Sequence, residues 1–300
     1  MSDATYAMQN APEAPGLIPL QAEAQPNPRA PEGEDGGRDT DLARRVRLAL
    51  AGQGVKAPVI HVRETLSTNS LAHSLARLGH PEGTVVIADS QTAGRGQFGR
   101  SWHSAEGKGL YLSVILKPAM RAARMSGITL VTAVCLAQAL RDDCGIHACI
   151  KWPNDILARG KKLAGILTEI SITGDELDHL VVGVGVNLDH EAHDFPPEIR
   201  DKATSIRLEA GGKDGSASFV AAFLEAFYRG YREFLATGFD AFRGRWNSMS
   251  AMTGKRVLVR HAGGLHLEGV SLGVDSQGAL VVLCPGGQRK RVLSGEIELS

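Results

Sequence analysis

Lys151-Trp152-Pro153-Asn154-Asp155 sets a cation, an indole, a rigid proline, an amide and a carboxylate in five successive positions. Shortly after, Lys161-Lys162-Leu163-Ala164-Gly165-Ile166-Leu167-Thr168-Glu169 opens with two lysines and continues as an alternating apolar segment. A surface turn is the plain reading of Pro-Asn-Asp, because these residues favour turns. A solvated turn has little use for a tryptophan between lysine and proline. Charged groups beside a fixed turn, flanked by strand-like runs, read instead as a site for an anionic ligand on a stiff frame.

A second cluster lies upstream. Gly94-Arg95-Gly96-Gln97-Phe98-Gly99 has the GxGxxG spacing. A dinucleotide fold would need a helix opening at the last glycine. Arg100-Ser101-Trp102-His103 follows instead, then a strand, so that reading is set aside. The glycines still allow close backbone approach to a ligand, and Arg95 and Arg100 suit carboxylate or phosphate. A Gly-rich surface hairpin is the competing reading. Beside Lys151 and Lys162, a ligand loop is the better one. Gly183-Val184-Gly185-Val186-Asn187 ends a strand. Its glycines could relieve crowding, or Asn187 could read a base or ribose.

These groups must be carried by a frame. Residues 1–40 hold six of the thirteen prolines and few large apolar residues, which predicts a disordered tail. A short helix over 41–51 would set Leu42, Val46, Leu48 and Leu50 on one side. From Pro58 a mixed α/β pattern begins. Strands are expected at 59–62, 84–88, 110–116, 162–170 and 180–186. Helices are expected over 69–78, capped by Ser67-Thr68 and ended by Gly79, and over 128–140 and 219–235. In the last, Phe219, Phe223, Phe227, Tyr231 and Phe234 form a core stripe. After Met252, short strands punctuated by Gly263-Gly264, Gln277-Gly278 and Gly286-Gly287 suggest a small all-β barrel.

Composition narrows the function. The chain has 300 residues, 43% of them hydrophobic, with 33 basic and 33 acidic side chains. Zero net charge argues against a dedicated nucleic-acid binder. No apolar run is expected to span a bilayer, and the acidic N-terminus lacks a signal core. Cys135, Cys144, Cys149 and Cys284 show no CxxC pair. Cys144 and Cys149 flank His147, but buried thiols of a reduced cytoplasmic protein are preferred over a metal site. His190 and His193, among Asp189, Glu191 and Asp194, read as a solvated loop rather than ligands.

Taken together the motifs resemble those of the biotin–protein ligases. The resemblance runs from about Arg63 to the C-terminus and rests on Ser67-Thr68-Asn69, Gln91, residues 94–100, Trp102, residues 151–155, residues 162–165 and residues 183–187. The ending Ser294-Gly295-Glu296-Ile297 is similar to the family's small C-terminal domain. The resemblance implies an α+β fold, a mixed sheet flanked by helices, followed by an SH3-like barrel. Expected boundaries are a tail at 1–40, a catalytic domain at 41–250 and the barrel at 251–300. It also implies the site. Ser67, Thr68, Asn69, Gln91, Gly94, Gly96, Gln97, Trp102 and Gly165 would contact biotin. Arg95 and Lys162 would hold its carboxylate and the phosphoryl oxygens. Arg100, Lys151, Asn154, Asp155 and Asn187 would serve ATP, and Asp155 is the expected Mg2+ ligand. Arg95, Lys151, Asp155 and Lys162 are the expected catalytic residues. Gln97 departs from the family's usual arginine. The N-terminal DNA-binding module of some members is not expected, so neither a repressor role nor a nucleic-acid partner is.

The implied reaction activates biotin as its 5′-adenylate and then transfers it to a lysine of a biotin carboxyl carrier protein. Asp155 could bind Mg2+ or help that lysine lose its proton. A homodimer is left open, and no membrane partner is expected. A lipoate–protein ligase, sharing fold and adenylate chemistry, and a non-enzymatic binding protein are the rival readings.

Overall fold

The computed structural model describes residues 17–19, 41–174, 176–211, 216–261 and 266–299. β2 (Val59–Thr65) and β3 (Val85–Gln91) pair in parallel. Parallel neighbours need a crossover, and α2 (Thr68–Arg77) supplies it. Gly79, at φ +92°, lies just past the end of α2. β4 (Gly109–Leu116), β8 (Glu176–Asn187), β7 (Lys161–Thr173), β6 (Asp155–Ala158) and β5 (Ala148–Lys151) follow across the sheet, all antiparallel, in the order β2-β3-β4-β8-β7-β6-β5.

Alternation along these strands gives the sheet two unlike faces. Leu112 and Val114 of β4, Ile166 of β7 and Val182 and Val184 of β8 join the main core. α1 (Asp41–Gly52), α3 (Ile128–Asp142), α5 (Ser216–Thr237) and α6 (Asp240–Met249) build that core with them; α5 packs against α1 and α3. The five aromatic residues expected to form the stripe of α5 are all buried. α2 covers part of the opposite face, where Leu71 and Leu75 meet Ile115 and Val181. The uncovered remainder of that face is where the motif residues gather.

A second, antiparallel sheet follows. β9 (Arg256–Arg260), β10 (His266–Val274), β11 (Leu280–Leu283), β12 (Arg289–Val292) and β13 (Glu296–Leu299) run in the order β12-β11-β10-β9-β13. This is the small SH3-like unit that was expected. Gly278, Gly286 and Gly287 take the positive φ their turns require; Gly263-Gly264 lies outside the described residues. Trp152 joins the two sheets. Its ring is fully buried and its Nε1–H donates to the Gly278 carbonyl at 3.1 Å. The apolar body fills the core while the one polar atom finds a partner.

Four expectations fail, each for a physical reason. Within the tail expected to be disordered, Leu17–Pro19 forms β1, paired in parallel with Thr168–Ile170 of β7. β7 outruns β6, whose pairing covers only Lys161 to Gly165, so an open sheet edge remains to accept a strand. Leu48 is exposed while Val46 and Leu50 are buried: two residues apart on a helix is roughly 200°, the opposite side. Ala122–Asp142 is apolar and long enough to cross a membrane by length and composition, yet Leu130, Val134, Leu136 and Leu140 are all buried in the protein, where they are core. His190 is not on a solvated loop but fully buried, its ring stacked 4.8 Å from that of Phe195; His193 is exposed. Of the cysteines, Cys135 is buried and the other three are half-buried, and none forms a disulfide.

Trp152→Phe keeps most of the packing but leaves the Gly278 carbonyl without its indole donor. Urea unfolding should show a loss of about 1–3 kcal/mol, the cost of an unmet buried polar group. An unchanged midpoint would mean that the indole hydrogen bond contributes nothing to joining the sheets.

Candidate active site

At the centre of the uncovered sheet face three strand positions carry no side chain: Gly183 and Gly185 of β8 and Gly165 of β7. Tyr111, Gly185 and Gly165 are register neighbours across β4, β8 and β7, and Ser113, Gly183 and Leu167 form the next row. Side chains from outside the sheet use the space. A Cβ on Gly183 would fall 2.1 Å from Asn69 Oδ1, and one on Gly185 would fall 2.6 Å from the Trp102 ring. These two glycines are therefore fixed by close approach rather than by turn geometry.

Asn69 and its neighbours form one end of an open cleft. Ser67 is the N-cap of α2 but makes no capping bond with its side chain. Gln91 takes over from the next strand: the Thr68 N–H donates to Gln91 Oε1 at 2.8 Å, and Gln91 Nε2 donates to Ser104 Oγ at 2.8 Å. The Asn69 amide is fully oriented. Its Nδ2 donates to Glu169 Oε2 at 2.7 Å and to the Leu167 carbonyl at 3.1 Å, while Ser113 Oγ lies 2.7 Å from Oδ1. Tyr111 donates its hydroxyl to the Ala105 carbonyl, and burial pushes its pKa up, so it remains a neutral donor. This end offers apolar walls with a few fixed donors and acceptors, as a small ring ligand requires.

The other end is cationic. Each of three cations rests on a carboxylate from another element: Arg95 on Glu169 at 2.8 Å, Lys162 on Asp155 at 2.7 Å, and Arg100 on Glu296 of β13 at 2.5 Å. Lys162 Nζ also lies 5.4 Å from the centre of the Trp102 ring, a cation–π contact. The Gly-rich segment folds back on itself, with Gly96 N–H donating to the Arg100 carbonyl and Trp102 N–H to that of Gly94. Phe98, at φ +59°, marks its tight turn. No helix follows Gly99, in line with the rejected dinucleotide reading.

Most of the expected residues meet here. Ser67, Thr68, Asn69, Gln91, Arg95, Gly96, Gln97, Arg100, Trp102, Lys151, Asn154, Asp155, Lys162 and Gly165 all line the cleft. Two do not. Gly94 lines a neighbouring hollow, where a Cβ would fall 2.6 Å from the Trp102 carbonyl. Asn187 is buried and donates to the Thr204 carbonyl at 2.9 Å, so it braces the chain beyond β8 instead of facing the cleft. Asn154 lines the cleft while its Nδ2 is tied to the Ile166 carbonyl. Sequence reasoning missed Glu169, Ser113, and the β13 segment at Gly295, Glu296 and Ile297. A polar residue inside an apolar strand was the available signal for the first two. The third needed knowledge of how the two sheets meet.

Residues 61–187 match the Biotin/lipoate A/B protein ligase family, and residues 253–300 match the Biotin protein ligase C terminal domain. The Bifunctional ligase/repressor BirA of Bacillus subtilis is 37% identical over 254 residues, 85% of this chain and 78% of that protein. The chain belongs to the biotin protein ligase family. The biotin–(acetyl-CoA-carboxylase) ligase of Paracoccus denitrificans is 33% identical, with 75% of this chain and 94% of that one covered. In structure, the chain is similar to the Aquifex aeolicus biotin protein ligase in complex with biotin and ATP: TM-score 0.68 and 31% identity, covering 81% and 98% of the two chains. The ligase fold expected from the motifs is thus the one observed.

Gly183→Ala and Gly185→Ala should each destabilise the protein by about 1–3 kcal/mol through overpacking. Gly244→Ala, in α6 with nothing near its Cβ, should instead be neutral or stabilise by up to about 1 kcal/mol. Thermal unfolding of the three variants separates the crowded positions from the open one; equal effects would deny that the floor is crowded.

Proposed function

We propose that this cleft joins biotin to ATP and then passes the biotinyl group to a lysine of a biotin carboxyl carrier protein. The observation that carries the reading is the division of one cleft into a hydrogen-bonding end at Asn69 and Gln91 and a cationic end at Arg95, Arg100, Lys151 and Lys162. Biotin has the matching halves, a polar bicyclic ring and a carboxylate tail, and the carboxylate would lie where a triphosphate also finds positive charge. The carrier as partner is supported by the names of the Paracoccus denitrificans and Mycobacterium tuberculosis relatives, both biotin–(acetyl-CoA-carboxylase) ligases. Four cysteines outside any disulfide are consistent with a reducing compartment such as the cytoplasm.

The first step is an in-line displacement. A biotin carboxylate oxygen attacks the α-phosphorus of ATP, the bond to the bridging oxygen breaks, and pyrophosphate leaves with the electron pair. In the second step the neutral amine of the carrier lysine attacks the acyl carbon. AMP leaves and the nitrogen loses a proton. No nucleophilic side chain is required. The protein's task is to hold two anions together, which cations aimed at the developing charge can do. Lys162 and Arg95 serve the carboxylate and α-phosphoryl oxygens, while Arg100 and Lys151 serve the remaining phosphates. Trp102 walls Lys162 on one side, and Asp155 fixes it on another.

Asp155 and Glu296 are the acids lining the cleft among the described residues. Mg2+ is usually held by one or two carboxylates together with substrate phosphates, so the donor set fits, and Asp155 would hold the ion. When bound, it would neutralise charge on the phosphates. Gln97 lines the cleft where the resemblance implies arginine.

Biotin-dependent exchange of labelled pyrophosphate into ATP tests the reading, with lipoate alongside. Exchange with biotin and not lipoate is expected; exchange with lipoate alone, or with neither, would overturn it. Lys162→Ala should lower the biotin-dependent rate by about thirtyfold to a thousandfold, the loss of a roughly 2–4 kcal/mol transition-state contact. A folded variant with near-normal exchange would remove Lys162 from the chemistry.

A further inference from the structure

Glu169 lies behind the ring end of the cleft, in an otherwise apolar stretch of β7, and it is only 5% exposed. A buried carboxylate is costly unless it is well partnered. One oxygen, Oε2, takes both of its partners: Asn69 Nδ2 at 2.7 Å and Arg95 at 2.8 Å. Those are the residues that give each end of the cleft its character. A third group stands near. His73 of α2 is fully buried with Nε2 3.8 Å from the same oxygen, beyond hydrogen-bond reach.

The hydrogens around His73 can be assigned from its neighbours. Asp178 accepts from His179 Nδ1–H at 2.7 Å, which leaves His179 Nε2 as an acceptor. His73 Nδ1 lies 2.8 Å from that nitrogen and must donate to it. His73 Nε2 then carries a lone pair, and it makes no hydrogen bond. The charged groups around the pair are Arg77 on the same helix, Arg95, Lys117, Asp178 and Glu169. Burial is the largest influence and holds His73 down at about 3, so it is neutral near pH 7 and gives no proton to Glu169. The histidine chain thus braces α2 against β8 and leaves the Glu169 charge to Asn69 and Arg95.

We propose that Glu169 is the positioning residue for substrate choice: it locks the Asn69 amide with Nδ2 turned away and Oδ1 set over Gly183 as an acceptor, and it holds Arg95 in place across the cleft. A ligand ring bearing N–H groups is then favoured over one that has none. The proposal rests on the ligase reading and names the residue that orients its ring end. Without the carboxylate, Nδ2 keeps only the longer bond to the Leu167 carbonyl at 3.1 Å, so the amide is held less firmly, and Arg95 loses its anchor.

The test is Glu169→Gln, read by biotin-dependent pyrophosphate exchange with lipoate as competitor. The KM for biotin should rise about tenfold or more, since neutral and charged hydrogen bonds differ by roughly that much. Arg95 also serves the α-phosphoryl oxygens, so the readout that isolates the ring end is the choice between biotin and lipoate, both of which carry a carboxylate. The preference for biotin over lipoate should fall by a similar factor. His73→Leu serves as the control. It should lower the melting temperature by removing the bond to His179, yet leave the preference within about twofold, because His73 donates nothing to Glu169. If Glu169→Gln does not fold, Glu169→Asp, which keeps the charge but withdraws it, should show the same rise in biotin KM and the same fall in preference in smaller measure. Unchanged biotin KM in a folded Glu169 variant, or an equal loss of preference in His73→Leu, overturns the proposal. A wild-type protein without biotin-dependent exchange overturns the ligase reading instead.

Discussion

Like charges that must meet set the terms for this cleft. A carboxylate and a triphosphate repel, and free cations placed to receive them would repel one another in the empty protein. The structure resolves both problems with internal counter-ions. Arg95, Lys162 and Arg100 each rest on a carboxylate brought from a different element: Glu169 on β7, Asp155 on β6 and Glu296 on β13. Each cation is thereby held in place in the cleft, and side chains ordered in advance cost less to order on binding. Because Glu296 belongs to the second sheet, that sheet is part of the cleft wall and not an appendage.

The rest of the site follows from making room beside those cations. Two rows of the sheet are stripped to glycine at their centre so that Asn69 and Trp102 can lie on the floor. The opposite face pays for the vacancy with a dense core against α3 and α5. Trp152 shows how closely the two requirements are joined. It stands in the same five-residue block as Lys151 and Asp155, yet its ring is buried and its nitrogen bonds the second sheet. The block therefore brings its charged members to the cleft and holds the sheets together with its aromatic one.

Much of this could be read from residue order. The KWPND block, the glycine–arginine segment and Lys162 near the start of β7 point to anion chemistry by residue type and spacing alone, and the structure gathers them. Strand alternation and helical stripes also placed the main core. What could not be read depends on distance in space. Asn187 sits at a strand end among ligand-like glycines, but its amide is used by Thr204. Glu169 ends the very segment quoted for its lysines, and only the approach of α2 and the Gly-rich loop shows what it holds. β1 adds to a sheet edge that exists only because β7 outruns β6. β5, β6 and α6 were not foreseen, being short or weakly patterned.

The central claim is that cations held in place by internal carboxylates receive the negative charge of the substrate. Calorimetric binding of biotin and of its uncharged alcohol analogue, each to the wild-type protein and to Lys162→Met, tests it most directly. A charged hydrogen bond of roughly 1.5–3 kcal/mol corresponds to about ten- to a hundredfold in affinity. The account predicts a loss of that size for biotin and less than about twofold for the alcohol. An equal loss for both ligands would show that Lys162 shapes the cleft without pairing with the carboxylate, and would contradict the account.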